Sequence, residues 1–488
     1  MISFVLSILA LIVGYLLYGK FVEKVFGPDP NKPTPAITKA DGVDYIAMPT
    51  WKVFMIQFLN IAGTGPIFGA IMGAKFGPAS YLWIVFGCIF AGAVHDYLSG
   101  MLSIRHGGAN YPDIVGHYLG KTTKTVMLVF SMFLLIMVGA VFVYSPAIIL
   151  GGMTGGGSTS SMLIWCGVIF IYYIIATLLP IDKIIGRIYP IFAVALLFMA
   201  AALMVELFIK WPSMPELWDG LGGWTDKSGI AGQPIFPCLF ITIACGAVSG
   251  FHATQSPIMA RCIKSEKLGR PIFYGAMITE GLVALVWAAI SSWFFFDGGY
   301  AEVGGSMSSA APSVVTMVSK GWLGVFGGIL AMLGVVAAPI TSGDTAFRSA
   351  RLIAADFLHI KQEKMGNRLA IAIPLFALSG LMLWFNIADE NGFNTIWRYF
   401  GWGNQTLSVF MFWTATAYFV RRGGPYYLIT LIPALFMTAV CVTFILVDKT
   451  GFGVSAALAP WIGCGTAVLA AVVFFLVKGR RAKPVADK

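Results

Sequence analysis

The sequence predicts an all-α membrane protein of many spans, organised as two five-helix runs of opposite orientation. Three observations carry that prediction. The 488 residues are 58% hydrophobic and only 11% charged, whereas charged residues make up about a quarter of ordinary globular domains. Apolar windows of about eighteen residues or more, the length that crosses a bilayer, recur along nearly the whole chain. Two of those windows are interrupted at mid-length by glycine, small polar residues and proline.

Taken in order, the windows lie at 2–22, 51–73, 79–104, 124–149, 161–180, 187–210, 233–260, 270–296, 318–343, 367–388, 395–420, 425–447 and 455–477. That is about thirteen helices at roughly 20 residues each. Met1 to Leu17 lacks the basic start and small-residue cleavage site of a secretory leader and reads as a retained first span. The 56 glycines and 24 prolines agree with a membrane setting, because spanning helices tolerate both. The seven cysteines (Cys88, Cys166, Cys238, Cys245, Cys262, Cys441, Cys464) lie in or beside apolar stretches without CxxC pairing. They read as buried small hydrophobes, not as a disulfide framework or metal site.

The formal net charge of +10 reflects loop asymmetry, not nucleic-acid binding. Loops 20–52, 105–124, 181–187, 261–270, 344–368, 421–422 and the tail 478–488 hold twenty-six of the 32 Lys and Arg. The alternate set holds only Lys75, Lys210, Lys227, Lys320, Arg398 and Lys449. By the positive-inside rule the amino end lies outside and the carboxyl end inside, with Trp211, Trp218, Trp224, Trp397 and Trp402 as outer interfacial anchors. Ala109 to Gly120 and Asp344 to Met365 look too polar to cross. They are expected as connecting helices along the inner surface, the second amphipathic through Arg348 and Arg351 against Phe347, Leu352 and Phe357.

The first interruption is Phe58-Leu-Asn-Ile-Ala-Gly-Thr-Gly-Pro-Ile-Phe68. Glycine costs roughly 1 kcal/mol in a helix interior and proline about 3, and bare backbone survives in hydrocarbon only where it lines a polar cavity. Gly63, Thr64, Gly65 and Pro66 therefore form a binding-site candidate. Pro66 suits the first position of an outer half-helix, whose amides and positive dipole end would receive a carboxylate. The carbonyls from Asn60 to Gly63 would hold a cation. The second interruption, Cys245 to Pro257, carries Ser249, Gly250, His252, Thr254 and Gln255. Pro66 and Pro257 stand 191 apart, and each interrupted helix opens a run of five spans. Five is odd, so the second run enters from the other side, the pattern of an inverted-repeat secondary transporter. The chain divides accordingly. Residues 1–50 give a first helix and loop, 51–210 and 211–420 the two repeats, and 421–488 two further helices and a basic tail.

Ionisable groups inside spans cost at least about 3 kcal/mol to insert and mark function by default. His95 and Asp96 lie in the third span, on different helical faces and so expected to have separate partners. Glu280 lies in the eighth span and suits a proton carrier. Thr341, Ser342 and Asp344 close the ninth span, and Thr341 and Ser342 with Ala62 offer oxygens for Na⁺. Asn404 and Gln405, in the eleventh, are candidates for substrate contact or an outer gate.

Several strings together resemble the bacterial carbon starvation protein A family: Phe-Leu-Asn-Ile-Ala-Gly-Thr-Gly-Pro-Ile, Ala-Gly-Ala-Val-His-Asp-Tyr (91–97), Ser-Gly-Phe-His-Ala-Thr-Gln-Ser (249–256), Pro-Ile-Thr-Ser-Gly-Asp-Thr-Ala-Phe-Arg-Ser-Ala-Arg (339–351) and Tyr-Phe-Gly-Trp-Gly-Asn-Gln-Thr (399–406). The resemblance runs from about Leu11 to the last spans and is to the shorter members. It implies an inner-membrane carrier that takes up peptides, or in some members pyruvate, when carbon is scarce. It also implies a leucine-transporter-like core of inverted five-helix repeats, with one extra helix before and two after.

The expected function is import of a small carboxylate-bearing nutrient (peptide, amino acid or pyruvate) coupled to H⁺ or Na⁺, without another cofactor. A membrane nutrient sensor keeping a transporter fold is the alternative. A channel would need a continuous polar face, and an intramembrane enzyme a motif such as HExxH; the sequence offers neither.

Overall fold

The computed structural model describes residues 1–156, 158–179, 185–221, 233–297, 299–302, 311–389, 392–449 and 451–478. The expected positions Trp224 and Lys227, loop residues 181–184 and the tail beyond Lys478 lie outside them. All regular structure among the described residues is helical. The principal helices are α1 (Ile2–Phe26), α2 (Thr50–Ala62), α3 (Gly65–Phe76), α4 (Ala79–Arg105), α5 (Tyr111–Leu119), α6 (Lys121–Gly155), α7 (Thr159–Leu178) and α8 (Ile185–Lys210). They continue as α9 (Ile235–Thr242), α10 (His252–Ala260), α11 (Glu266–Phe296), α12 (Ala311–Leu358), α13 (Met365–Ala388), α14 (Gly392–Arg422), α15 (Pro425–Val447) and α16 (Ala459–Lys478).

Ten of these are long and apolar enough to cross a bilayer, and α2 with α3 make an eleventh if the bent pair counts as one span. The chain is a multi-pass membrane protein. The two other expected spans have a different character. α14 is 31 residues long but carries Asn404, Gln405, Thr406 and Ser408 in its middle, and its apolar content falls short. The stretch 233–260 is two short helices of 8 and 9 residues with irregular chain between. Polar side chains and bare backbone are concentrated in these two places; the irregular chain 243–251 and the side chains of Asn404, Gln405 and Ser408 are buried in protein.

One expectation is corrected. Asp344 to Ala355 is not a surface helix; it continues α12, whose only residue of non-helical backbone is Gly324 at φ 66°, and only its last residues, Phe357 and Leu358 among them, reach the surface. Arg348 and Arg351, expected at an interface, have 0% exposure. Their charge is met from inside the fold: Arg348 Nη1 lies 3.0 Å from Asp44 Oδ1, and its Nη2 donates to the carbonyls of Ala176 and Leu179 at 2.7 Å. Arg351 lies 3.4 Å from the same carboxylate. Asp44 comes from the connection after α1, so that loop is drawn under the bundle. Burial alone would push the Asp44 carboxyl up, but Arg351, Arg348 and Arg261 together hold it below the ordinary carboxylate value. One smaller correction follows: Cys464 is exposed while the other six cysteines are buried. Trp402 donates to the Cys441 carbonyl at 3.1 Å.

Candidate functional site

The first interruption is a true break. α2 stops at Ala62, Gly63 takes φ 49° and ψ −152°, and α3 starts at Gly65 with its axis turned by 51°. Glycine reaches that backbone region without steric penalty. Pro66 sits in the first turn of α3, where no helical donor is lost. The Thr64 carbonyl accepts from the amides of Ile67 and Phe68 at 3.2 and 2.8 Å. The Thr64 hydroxyl and both amide atoms of Asn60 are fully buried and have no hydrogen-bond partner.

The second break lies between Thr242 and His252, with Gly246 at φ 92°. Pro257 is not at this break but inside α10, so the 191-residue proline spacing does not measure the distance between discontinuities. Glycine opens the chain here, and the proline only forfeits one bond of the helix that follows. The two breaks touch. A Cβ on Gly65 would fall 2.1 Å from that of Cys245, and one on Gly246 would fall 3.5 Å from the Pro66 Cα. α4 joins them: a Cβ on Gly92 would lie 2.1 Å from the Ala247 carbonyl.

Asn404 is occupied with this backbone and Gln405 in part, its Oε1 being buried without a partner. Asn404 Oδ1 accepts from the Phe251 amide at 2.6 Å and the Ser249 hydroxyl at 3.1 Å, while Gln405 Nε2 donates to the Phe240 carbonyl at 2.9 Å. Gly250 lets α14 approach, since a Cβ there would stand 2.1 Å from the Asn404 carbonyl. Thr254 donates to the Phe251 carbonyl and receives Gln255 Nε2, leaving Gln255 Oε1 without a partner.

The ionisable groups fall into two clusters. In the first, Asp96 Oδ1 lies 2.8 Å from His95 Nδ1 and Asp96 Oδ2 lies 2.8 Å from His252 Nδ1. The expectation of separate partners for His95 and Asp96 is thus wrong. Successive helical residues diverge, but an aspartate oxygen and an Nδ1 both sit close to the backbone and can meet across that angle. His252 Nε2 faces Glu280 at 3.5 Å, beyond a good hydrogen bond. That nitrogen and both Glu280 oxygens are buried without a hydrogen-bond partner. All four side chains are at most 1% exposed. Three ionisable residues from α4, α10 and α11 therefore run in a line, Asp96–His252–Glu280, beside the paired breaks.

The second cluster surrounds Asp344. Tyr172 donates to its Oδ2 at 2.8 Å, and Tyr189 to its Oδ1 and, at 2.7 Å, to the Thr341 carbonyl. The Thr341 hydroxyl is taken by the carbonyls of Ala337 and Ala338 at 2.9 Å. Ser342 Oγ reaches across to the Leu59 carbonyl at 2.8 Å, and Ala62 is fully buried where α2 ends. Sequence reasoning missed the Asn60 side chain, Cys245, Tyr172 and Tyr189 as parts of the site. The paired tyrosines inside an apolar span and the lone asparagine before Gly63 were the available signals.

Cys245 Sγ, a His252 ring nitrogen and a Glu280 oxygen lie within 4.8 Å of one another. Thiolate, imidazole and carboxylate form the donor set of a borderline divalent ion such as zinc. Asp96 on the other ring nitrogen would orient the imidazole, as second-shell carboxylates do.

The family model described as carbon starvation protein CstA matches residues 1–167, 145–321 and 306–444. The chain belongs to the CstA family. Among its relatives is an uncharacterized membrane protein of Haemophilus influenzae, 46% identical over 339 residues, covering 60% of this chain and 91% of that protein. The peptide transporter CstA of Campylobacter jejuni is 26% identical, covering 87% of this chain and 77% of its own. The pyruvate/proton symporter BtsT of Escherichia coli is 27% identical over 58% of this chain and 47% of its own length. A solved manganese transporter of Eremococcus coleocola superposes with a TM-score of 0.56 at 11% identity, over 91% of this chain and 99% of that one. At that identity the likeness speaks for the fold. CstA membership and these relatives make the chain a membrane transport protein of the carbon-starvation group.

Proposed function

We propose that the protein is a proton-coupled secondary transporter that imports a small carboxylate-bearing nutrient, a short peptide or pyruvate. The observation that carries this reading is the Asp96–His252–Glu280 line, shielded from water and incompletely hydrogen-bonded, beside two touching helix breaks. A substrate carboxylate at Gly63 to Pro66 adds a negative charge in low dielectric, and a proton taken up by the adjacent line offsets it. Asn60, Thr64 and Gln255, which hold free polar atoms, contact the substrate, with Asn404, Gln405, Ser249 and Gly250 holding the second break in shape.

The reading includes thirteen spans in a leucine-transporter-like 5+5 arrangement, 51–210 and 211–420, between residues 1–50 and 421–488. The amino end lies outside the bacterial inner membrane and the carboxyl end inside. Two broken helices, each opening its run, and the loop charges support it. Sodium is the second coupling reading, favoured by Ser342 bridging α12 to the Leu59 carbonyl at the end of α2.

The test is uptake of labelled pyruvate, alanyl-alanine and a tripeptide into proteoliposomes under imposed gradients. An inward proton gradient drives accumulation of at least one, and replacing Na⁺ by K⁺ leaves it unchanged. Uptake indifferent to the proton gradient rejects the proposal, and dependence on Na⁺ selects the second reading.

A further inference from the structure

A cavity of about 120 Å³ opens between the end of α3 and α9, α14 and α15. That is room for about four waters at about 30 Å³ each, or for a carboxylate and the few atoms behind it. Met72 and Thr242 line it on the side of the breaks; Thr242 is the last residue of α9, and Gly69 of α3 packs on its carbonyl. Lys75 and Arg398 bring two cations to the wall, against the single carboxylate of Asp448. Arg398 stands 3.8 Å from Asp448 and is half exposed. Lys75 differs. It is 6% exposed, and among the described residues its ammonium has neither an ion-pair nor a hydrogen-bond partner; the face of Phe76 lies at 5.1 Å, and the Cys238 thiol and Arg398 are close enough to act on its charge. A buried ammonium without an acid destabilises the fold unless something supplies the missing charge.

We infer that this cavity is a second carboxylate site, in which Lys75 and Arg398 take the anionic group of the substrate on its way to the breaks. The site rests on the transport reading above and adds to it a place where the anion waits. Lys75 and Pro66 are on the same half-helix, nine residues apart, or about 13 Å at 1.5 Å per residue. An anion leaving Lys75 therefore travels along one helix toward the end whose dipole attracts it.

Cys238 lines the cavity and is buried, which makes it a reporter that does not depend on transport. In full-length protein with Cys464→Ser removing the exposed thiol, the rate at which a small methanethiosulfonate converts Cys238 to a mixed disulfide, with release of methanesulfinate, is followed by mass spectrometry. Pyruvate and alanyl-alanine are the probes. The inference expects either probe to slow labelling by about threefold or more, and Lys75→Gln to abolish that protection while Lys75→Arg keeps it. In proteoliposomes Lys75→Gln raises KM about fivefold or more with kcat within about twofold, the signature of lost binding and not lost chemistry. If Lys75→Gln does not fold, Arg398→Gln is expected to halve the protection. Labelling that neither probe slows, or a KM unmoved by the lysine variant, overturns the inference. Protection without uptake of any probe leaves this site standing and removes the transport reading; uptake without protection does the reverse.

Discussion

Asp96 and His252, 156 positions apart in the chain, meet at 2.8 Å between Oδ2 and Nδ1. One contact thereby ties α4 to the helix that follows the second break. The other face of the same imidazole looks at Glu280, so His252 stands between two carboxylates that approach from different helices. In the proton-coupled reading proposed above, the ring is the relay between the two acids, and the 3.5 Å gap to Glu280 must close for a proton to cross it.

Glu280→Gln keeps the shape of that end of the line and removes its proton. The ratio of gradient-driven uptake to counterflow exchange is expected to fall about tenfold or more, because exchange moves no net proton. Parallel assays in the same proteoliposomes measure it. An unchanged ratio would take Glu280 out of the coupling path.

Zinc is expected to inhibit. Cys245, His252 and Glu280 bring three donors within 4.8 Å, and a metal held there would occupy the proton line. Micromolar Zn²⁺ should reduce uptake, EDTA should restore it, and Cys245→Ala should raise the half-inhibiting concentration about tenfold. Zinc titrations of wild type and variant decide the matter.

Gly65→Ala places a Cβ 2.1 Å from that of Cys245. Overpacking of this kind costs typically about 1–3 kcal/mol. It should lower both the melting temperature and the uptake rate, and Gly65→Ala with Cys245→Gly should recover part of both. A double-mutant cycle in melting temperature checks the coupling; additive losses would mean the two breaks do not press on each other.

Asp44→Asn removes the acid shared by Arg348 and Arg351. Deleting one partner of a buried pair costs about 3–5 kcal/mol. The native Asp44 pKa lies below its ordinary value, so its contribution is present in full above about pH 4 and lost as pH falls through the native value. The melting-temperature gap between wild type and variant is therefore expected to be wide at neutral pH and to close in strong acid.

The helical class and most span positions were legible because long apolar windows need no tertiary information to be recognised. The first break was legible for a similar reason: Gly63, Gly65 and Pro66 are local signals. Pro257 misled because a proline marks a site where a helix can end, not where it does, and Gly246 had no comparable flag among 56 glycines. The surface placement of Arg348 and Arg351 failed on a long-range fact. Nothing near residue 350 announces that Asp44, some three hundred positions earlier, will neutralise them. Substrate roles for Asn404 and Gln405 were read from their polarity at depth; Asn404 bonds the Ser249 hydroxyl and the Phe251 amide, while Gln405 bonds the Phe240 carbonyl through Nε2 and leaves its Oε1 without a partner.

The contact of Gly250 with the main chain at Asn404 has a mechanical consequence. With no side chain between them and an amide clamp holding both, the irregular stretch after α9 and the middle of α14 cannot separate without breaking bonds that lipid would leave unmade. Under the transport reading proposed above, a moving body that includes the second break would take α14 with it, which would put the pivot outside that helix.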